Sequence, residues 1–130
     1  MPHRIYLVED HPVMQEAYAD VLGAEPDLAL CGVSERAEEA LERIQGAPCD
    51  LVVTDVRLPG MSGIDLVERL AAACPTLPVV VITGHDDVSF ERRARAAGAV
   101  AFLPKRQAAL GLVPTIRSVL AGAGRAEAPE

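Results

Sequence analysis

Long apolar runs are missing from this chain of 130 residues. None reaches the ~18 residues that span a bilayer, and the segment after Met1 does not read as a secretory signal. Cysteine is scarce: Cys31, Cys49 and Cys74 are too few and too scattered for a disulfide framework or a zinc site. They fit small buried hydrophobes in a reducing cytoplasm. No G-x-x-x-x-G-K-[ST] or G-x-G-x-x-G follows a strand, which excludes both common nucleotide-binding loops. Positive charge is in deficit too. Twelve basic residues against nineteen acidic ones leave −7, so the domain itself repels nucleic acid and anionic membranes. Lysine is almost absent, Lys105 standing alone beside eleven arginines. A single lysine in an arginine-rich chain points to a position that wants a compact ammonium on a flexible stem.

What is present is a globular composition, 50% apolar and 24% charged, at a length that supports one domain with a real core. Short apolar runs alternate with amphipathic stretches. Arg4 to Val8 reads as a buried strand, followed by a helix from Pro12 to Leu22 that Gly23 stops. Leu28 to Val33 is a second strand, and Ser34 is the expected cap of a helix whose stripe is Ala37, Ala40, Leu41 and Ile44. Leu51 to Thr54 is a third strand, apolar on both faces as parallel strands are. A loop from Asp55 to Ser62 then leads to a helix with Ile64, Val67 and Leu70 inward, capped by Ser62 with Asp65. Val79 to Thr83, rich in β-branched residues, is the clearest strand. Beyond the polar loop Gly84 to Asp87, Phe90, Ala94 and Ala97 mark a fourth helix, and Ala101 to Leu103 a fifth strand. Pro114 predicts that the last helix starts late, near Gly111 to Pro114, or kinks. Gly122 to Glu130 reads as a tail.

Five strands alternating with five helices make an α/β chain, with a parallel sheet covered on two faces. Ligands in such sheets bind beyond the carboxyl ends of the strands. There the sequence places Glu9 and Asp10 after the first strand and Asp55 after the third. Thr83 ends the fourth, and Lys105 follows the fifth. Three neighbouring carboxylates repel, and the arrangement makes sense if a cation sits among them. Oxygen ligands with water suit Mg²⁺ best. His85, Asp86 and Asp87 imitate a metal site, but three adjacent residues rarely converge on one ion, and they read as a polar loop.

The stretches Val8-Glu-Asp-His-Pro12, Val52-Val-Thr-Asp-Val-Arg-Leu-Pro-Gly-Met-Ser-Gly63, Val80-Val-Ile-Thr-Gly84 and Ala97-Gly-Ala-Val-Ala-Phe-Leu-Pro-Lys105 occur in this order on these elements. Together they resemble the response-regulator receiver domain of two-component signalling, over nearly the whole chain. Asp10-His-Pro12 leans towards the subfamily with helix-turn-helix output domains. The resemblance implies a doubly wound, flavodoxin-like fold with strand order 2-1-3-4-5, a receiver domain over residues 1–121, and a tail or truncated linker over 122–130. It further implies a cytoplasmic phosphoacceptor rather than an enzyme, apart from its own Mg²⁺-dependent phosphorylation and dephosphorylation. Asp55 would accept the phosphoryl group from a histidine kinase or phosphotransfer protein. Glu9, Asp10, Asp55 and the backbone carbonyl of Arg57 would hold Mg²⁺. Lys105 and Thr83 would bind the phosphoryl oxygens, and Phe102, one of only four aromatic residues, would fill the space that Thr83 vacates. The switched surface would be the fourth helix, fifth strand and last helix. Arg92, Arg93 and Arg95 on that fourth helix are a local basic cluster suited to a partner or to a homodimer.

Two departures from the family pattern stand out. Arg106 replaces the proline that commonly follows the lysine with a cis bond; a non-proline cis bond costs about 3 kcal/mol, so a trans bond is expected. Arg57, two past the acceptor, is long and charged, and is expected to affect how water reaches the phosphoryl group. The same residue argues against a haloacid-dehalogenase-type phosphatase, which needs an acid there. A receiver that folds alike but is never phosphorylated remains the other reading.

Overall fold

The computed structural model describes residues 2–84 and 88–123, so the loop His85 to Asp87 lies outside the described residues. Strand and helix alternate as β1 (His3–Val8), α1 (Pro12–Gly23), β2 (Leu28–Ser34), α2 (Ala37–Gly46) and β3 (Leu51–Asp55), continuing as α3 (Gly63–Ala73), β4 (Val79–Thr83), α4 (Val88–Ala97), β5 (Ala101–Pro104) and α5 (Lys105–Ala123). All neighbouring strands pair in parallel, in the order β2-β1-β3-β4-β5. The expected doubly wound topology is therefore the one observed. From β1 the chain winds outward to β2 and then returns to the other side for β3. The loops leaving β1 and β3 diverge, and such a reversal opens a crevice at the carboxyl edge.

Alternation along the strands divides the core into two layers. Ile5, Leu7, Leu51, Val53, Val80 and Ile82 pack against Tyr18 and Leu22 of α1 and Ala108, Leu112 and Ile116 of α5. Val8, Val52, Val79 and Val81 pack on the other face against α2, α3 and Ala94 of α4. Helices on both faces explain why the central strands are buried throughout rather than alternating with polar residues. The three cysteines are half-buried thiols at the margin, less enclosed than their apolar character predicts.

Three local expectations are corrected. Ser34 does not cap α2: it is the buried last residue of β2, its hydroxyl 2.5 Å from that of Tyr6, and Arg36 occupies the cap position without a side-chain bond. Pairing with β1 has drawn Ser34 into the sheet. α5 begins at Lys105 and carries Pro114 inside it. Proline there cannot donate to the carbonyl of Leu110, yet Leu110 and Pro114 are both exposed, and a lost bond costs least beside solvent. Burial of Ala108, Leu112, Val113 and Ile116 on the inward stripe outweighs that loss. The helix also runs through Gly122 to Ala123, past the expected start of the tail; residues 124–130 lie outside the described residues. Ser62 does cap α3, its Oγ accepting from Asp65 N at 3.1 Å.

Arg117 fastens α5 to the turn between α1 and β2. Its guanidinium donates to Asp27 at 3.0 and 2.8 Å and to Glu25 at 2.5 Å, and holds the Asp27 carboxyl below its usual range.

Gly63 governs how closely the β3–α3 loop folds back on the end of β3. Its N–H donates to Val56 O at 2.8 Å, and a Cβ at this position would run into the carbonyl of Asp55. Gly63→Ala is expected to destabilise the domain by about 1–3 kcal/mol, the usual range for overpacking. Gly46→Ala, which adds a methyl to open space in a helix, should raise stability by up to about 1 kcal/mol. Thermal or urea melts of the two variants check this, and equal stabilities would refute the close approach.

Candidate functional site

Register brings the strand ends level. Val8 pairs with Thr54, so the next residues, Glu9 and Asp55, stand side by side across the β1–β3 crevice. Asp55 pairs in turn with Ile82, and Thr83 with Pro104, immediately before Lys105. Asp55 is the last residue of β3 rather than the first of the loop, which fixes its backbone in the sheet. The polar residues at this edge are more enclosed than most loop residues. Glu9 is 1% exposed, Asp55 4% and Thr83 1%.

Lys105 Nζ lies 2.9 Å from Asp55 Oδ2 and 3.9 Å from Glu9 Oε2, while Asp55 Oδ1 accepts from Arg57 N at 3.2 Å. No peptide bond among the described residues is cis, so Lys105 achieves this reach with a trans bond to Arg106, as expected. Burial alone would lower the Lys105 pKa; its hydrogen bond to Asp55 and the charges of Asp55, Glu9 and Asp10 outweigh that and raise it. Burial, and then the charge of Asp55, push the Glu9 carboxyl above its usual range, with His11 and Lys105 partly opposing the shift. The pocket is crowded with negative charge.

The sequence reading missed His11. At the cap position of α1 it makes no capping bond through its side chain. Instead its Nδ1 sits 3.0 Å from Glu9 Oε2 and 3.3 Å from Asp10 Oδ1, and its N–H donates to Glu9 at 3.1 Å. The signal was its place between two acids and the helix-starting Pro12, which turns the chain back over the crevice.

Glu9, Asp10, His11 and Asp55 each offer a ligand atom, all within 4.8 Å of one another. Asp10 Oδ1 is buried and has no hydrogen-bond partner among the described residues. An orphaned, desolvated oxygen in a group of acids is the environment a small hard cation satisfies, and these residues could hold a divalent metal ion. The ammonium of Lys105 beside these acids adds a group that could pair with an anionic oxygen.

Thr83 and Phe102 occupy the opposite layer. Thr83 continues the Val79–Val81 side of β4, and Phe102 is half-buried in the cluster that α2, α3 and α4 cover. Arg92, Arg93 and Arg95 are exposed on α4. Arg95 pairs with Glu91 at 3.1 Å, and the Arg93 guanidinium lies 5.8 Å from the centre of the Phe90 ring. These three do not join the acidic site. No helix among the described residues is long and apolar enough to cross a membrane.

Comparison with known proteins bears on the family and the fold. The sequence model of the response regulator receiver domain matches residues 5–117. The chain is 34% identical over 122 residues to the DNA-binding transcriptional activator DevR/DosR of Mycobacterium tuberculosis, covering 94% of this chain and 55% of that one. It is 36% identical over 129 residues to the transcriptional activator protein ExaE of Pseudomonas putida, covering 96% and 58%. The chain thus spans little more than half the length of these curated relatives. A crystal structure of a LuxR-family two-component response regulator from Aurantimonas sp. SI85-9A1 superposes with a TM-score of 0.89 at 30% identity, covering 94% of this chain and 87% of that one.

If like charges strain the pocket without metal, Asp10→Asn should raise the melting temperature in chelator. The same variant should lose the upward shift that Mg²⁺ gives the wild type, a shift worth about 2.7 kcal/mol at a hundredfold excess over Kd. A lower melting temperature for the variant in chelator, or an undiminished Mg²⁺ shift, would count against the cluster.

Proposed function

The chain belongs to the response regulator receiver domain family, and from that premise we propose that Asp55 accepts a phosphoryl group from a phosphohistidine on a histidine kinase or phosphotransfer protein. The observation that carries this reading is the Lys105–Asp55 pair at 2.9 Å inside a nest of acids at the β1–β3 crevice. Glu9, Asp10, Asp55 and the backbone carbonyl of Arg57 are the groups that would hold Mg²⁺. When bound, that ion neutralises phosphoryl oxygens during transfer.

An Asp55 carboxylate oxygen attacks phosphorus in line. The P–N bond to the donor imidazole breaks, its electron pair stays on the departing nitrogen, and an acyl phosphate remains on Asp55. Lys105 follows the negative charge from the carboxylate to a phosphoryl oxygen. The chain's own share of catalysis is positioning and charge stabilisation, so it is a phosphoacceptor with no other enzymatic role.

The acyl phosphate adds charge and acceptor oxygens. Thr83 donates its hydroxyl to one of them, and Phe102, on the same side of the sheet, moves into the vacated space. Hydrogen bonds to charged groups contribute about 1.5–3 kcal/mol each. Inverting a 1:99 equilibrium takes about 5.5 kcal/mol, so two or three such bonds suffice. The surface that changes is α4, β5 and α5. Exposed Arg92, Arg93 and Arg95 offer that surface a basic contact for an acidic partner or a second copy. Relatives named as transcriptional activators support an output through DNA binding by a further segment; this acidic domain itself would contact neither nucleic acid nor membrane. Coupling to a kinase of this kind places the work in the cytoplasm.

With Mg²⁺ and a small acyl phosphate donor, the wild type should gain about 80 Da by intact mass and Asp55→Asn nothing. A wild type that gains no mass, as a degenerate receiver would, refutes the reading. Arg57→Ala should change the half-life of the phosphorylated form in a phosphate-release assay, and equal half-lives would exclude a role for Arg57 in water access.

A further inference from the structure

Tyr18 is a buried polar group that the reaction above does not use. It is 2% exposed on the inner face of α1, and no protein group among those described accepts from its hydroxyl. Three residues earlier on the same face, Gln15 Nε2 donates to the backbone oxygen of Glu9 at 2.5 Å, so this stripe of α1 is seated against the acidic site. Side chains of a helix lean towards its N-terminus, and α1 starts at the carboxyl edge of the sheet. The layer α1 covers is the one that Leu7 and Val53 line, and Glu9 and Asp55 are the next residues of that parity. Burial, then the charges of Glu9 and Asp55, hold the phenol pKa far above its ordinary value. Tyr18 therefore remains a donor. Phenylalanine would fill the same space without a desolvated hydroxyl, and the O–H makes no hydrogen bond to the described residues in the unphosphorylated state.

We propose that Tyr18 is a positioning residue of the acidic site, its hydroxyl taking the Glu9 carboxylate as acceptor when phosphoryl transfer to Asp55 rearranges the cations above it. This rests on Asp55 being the phosphoacceptor. In the state described, Lys105 is shared between Asp55 at 2.9 Å and Glu9 at 3.9 Å. A phosphoryl oxygen draws the ammonium outward, so Glu9, with one oxygen turned to the metal site, loses the 3.9 Å lysine contact while it stays buried. The donor beneath, on α1, then fixes the acid in the orientation that the phosphorylated site needs.

The test compares wild type with Tyr18→Phe, using Mg²⁺ and a small acyl phosphate. Unphosphorylated Tyr18→Phe should melt at the wild-type temperature or above it, which also shows that it folds. Its phosphorylated fraction at equal times should fall about tenfold, the lower end of what a hydrogen bond to a charged group provides. Ultraviolet Raman spectra report phenol hydrogen bonding without interference from tryptophan, which this chain lacks. The wild-type minus Tyr18→Phe difference isolates Tyr18, and its marker should move to the hydrogen-bonded donor form on phosphorylation. Wild-type phosphorylation of Tyr18→Phe, or an unchanged Tyr18 marker in phosphorylated wild type, overturns the role while leaving Asp55 as acceptor. A wild type that gains no mass overturns both.

Discussion

Two buried acids, Glu9 and Asp55, stand side by side at the end of a sheet with a third, Asp10, at their edge, and the ammonium of Lys105 makes that crowding tolerable. Its 2.9 Å pair with Asp55 gives one carboxylate a partner and lends part of its charge to a second at 3.9 Å. One ammonium against three carboxylates leaves the balance short. The excess of negative charge is what favours a divalent cation, and the charge of Asp55 adds to burial in pushing the Glu9 carboxyl upward. Removing one member of a buried ion pair leaves an uncompensated charge, so the pocket is stable only while something positive occupies its centre. An arginine at 105 would bring a rigid fork where the site asks for a point charge able to slide between two oxygens.

The two-layered core gives the proposed switch its geometry. Glu9, Asp55 and Lys105 belong with the layer under α1 and α5, whereas Thr83 and Phe102 belong with the layer that α2, α3 and α4 cover. In the proposed switch, a change at Asp55 would reach the α4 side by way of the Thr83 hydroxyl at the end of β4. The α1 side is reached through Glu9, Gln15 and Tyr18. Helices on opposite faces of one sheet can thus answer the same event. Close packing favours two arrangements of such a layer over a continuum.

Much of this was legible in the residues. Parallel strands buried on both faces leave unbroken β-branched runs, so Val79–Thr83 was identified to the residue. Caps with a local partner were legible as well, as at Ser62 and Asp65. Ser34 was misread, and the late helix start read from Pro114 failed, because long-range burial overruled a local preference. A serine that suits a helix cap was claimed by strand pairing and the Tyr6 hydroxyl, and a proline that disfavours a helix interior was tolerated where it and Leu110, four residues before it, are both exposed.

The sequence by itself determined the order of elements, the parallel sheet and which polar side chains follow which strand, since those depend on neighbours along the chain. Only the tertiary structure decided that Glu9 and Asp55 stand level, that Lys105 reaches Asp55 through a trans bond, and that His11 turns onto two acids. It alone left Asp10 Oδ1 and the Tyr18 hydroxyl buried without a hydrogen bond among the described residues. Register, desolvation and the pairing of charges far apart in sequence arise when separate strands meet, and no window of local sequence contains them.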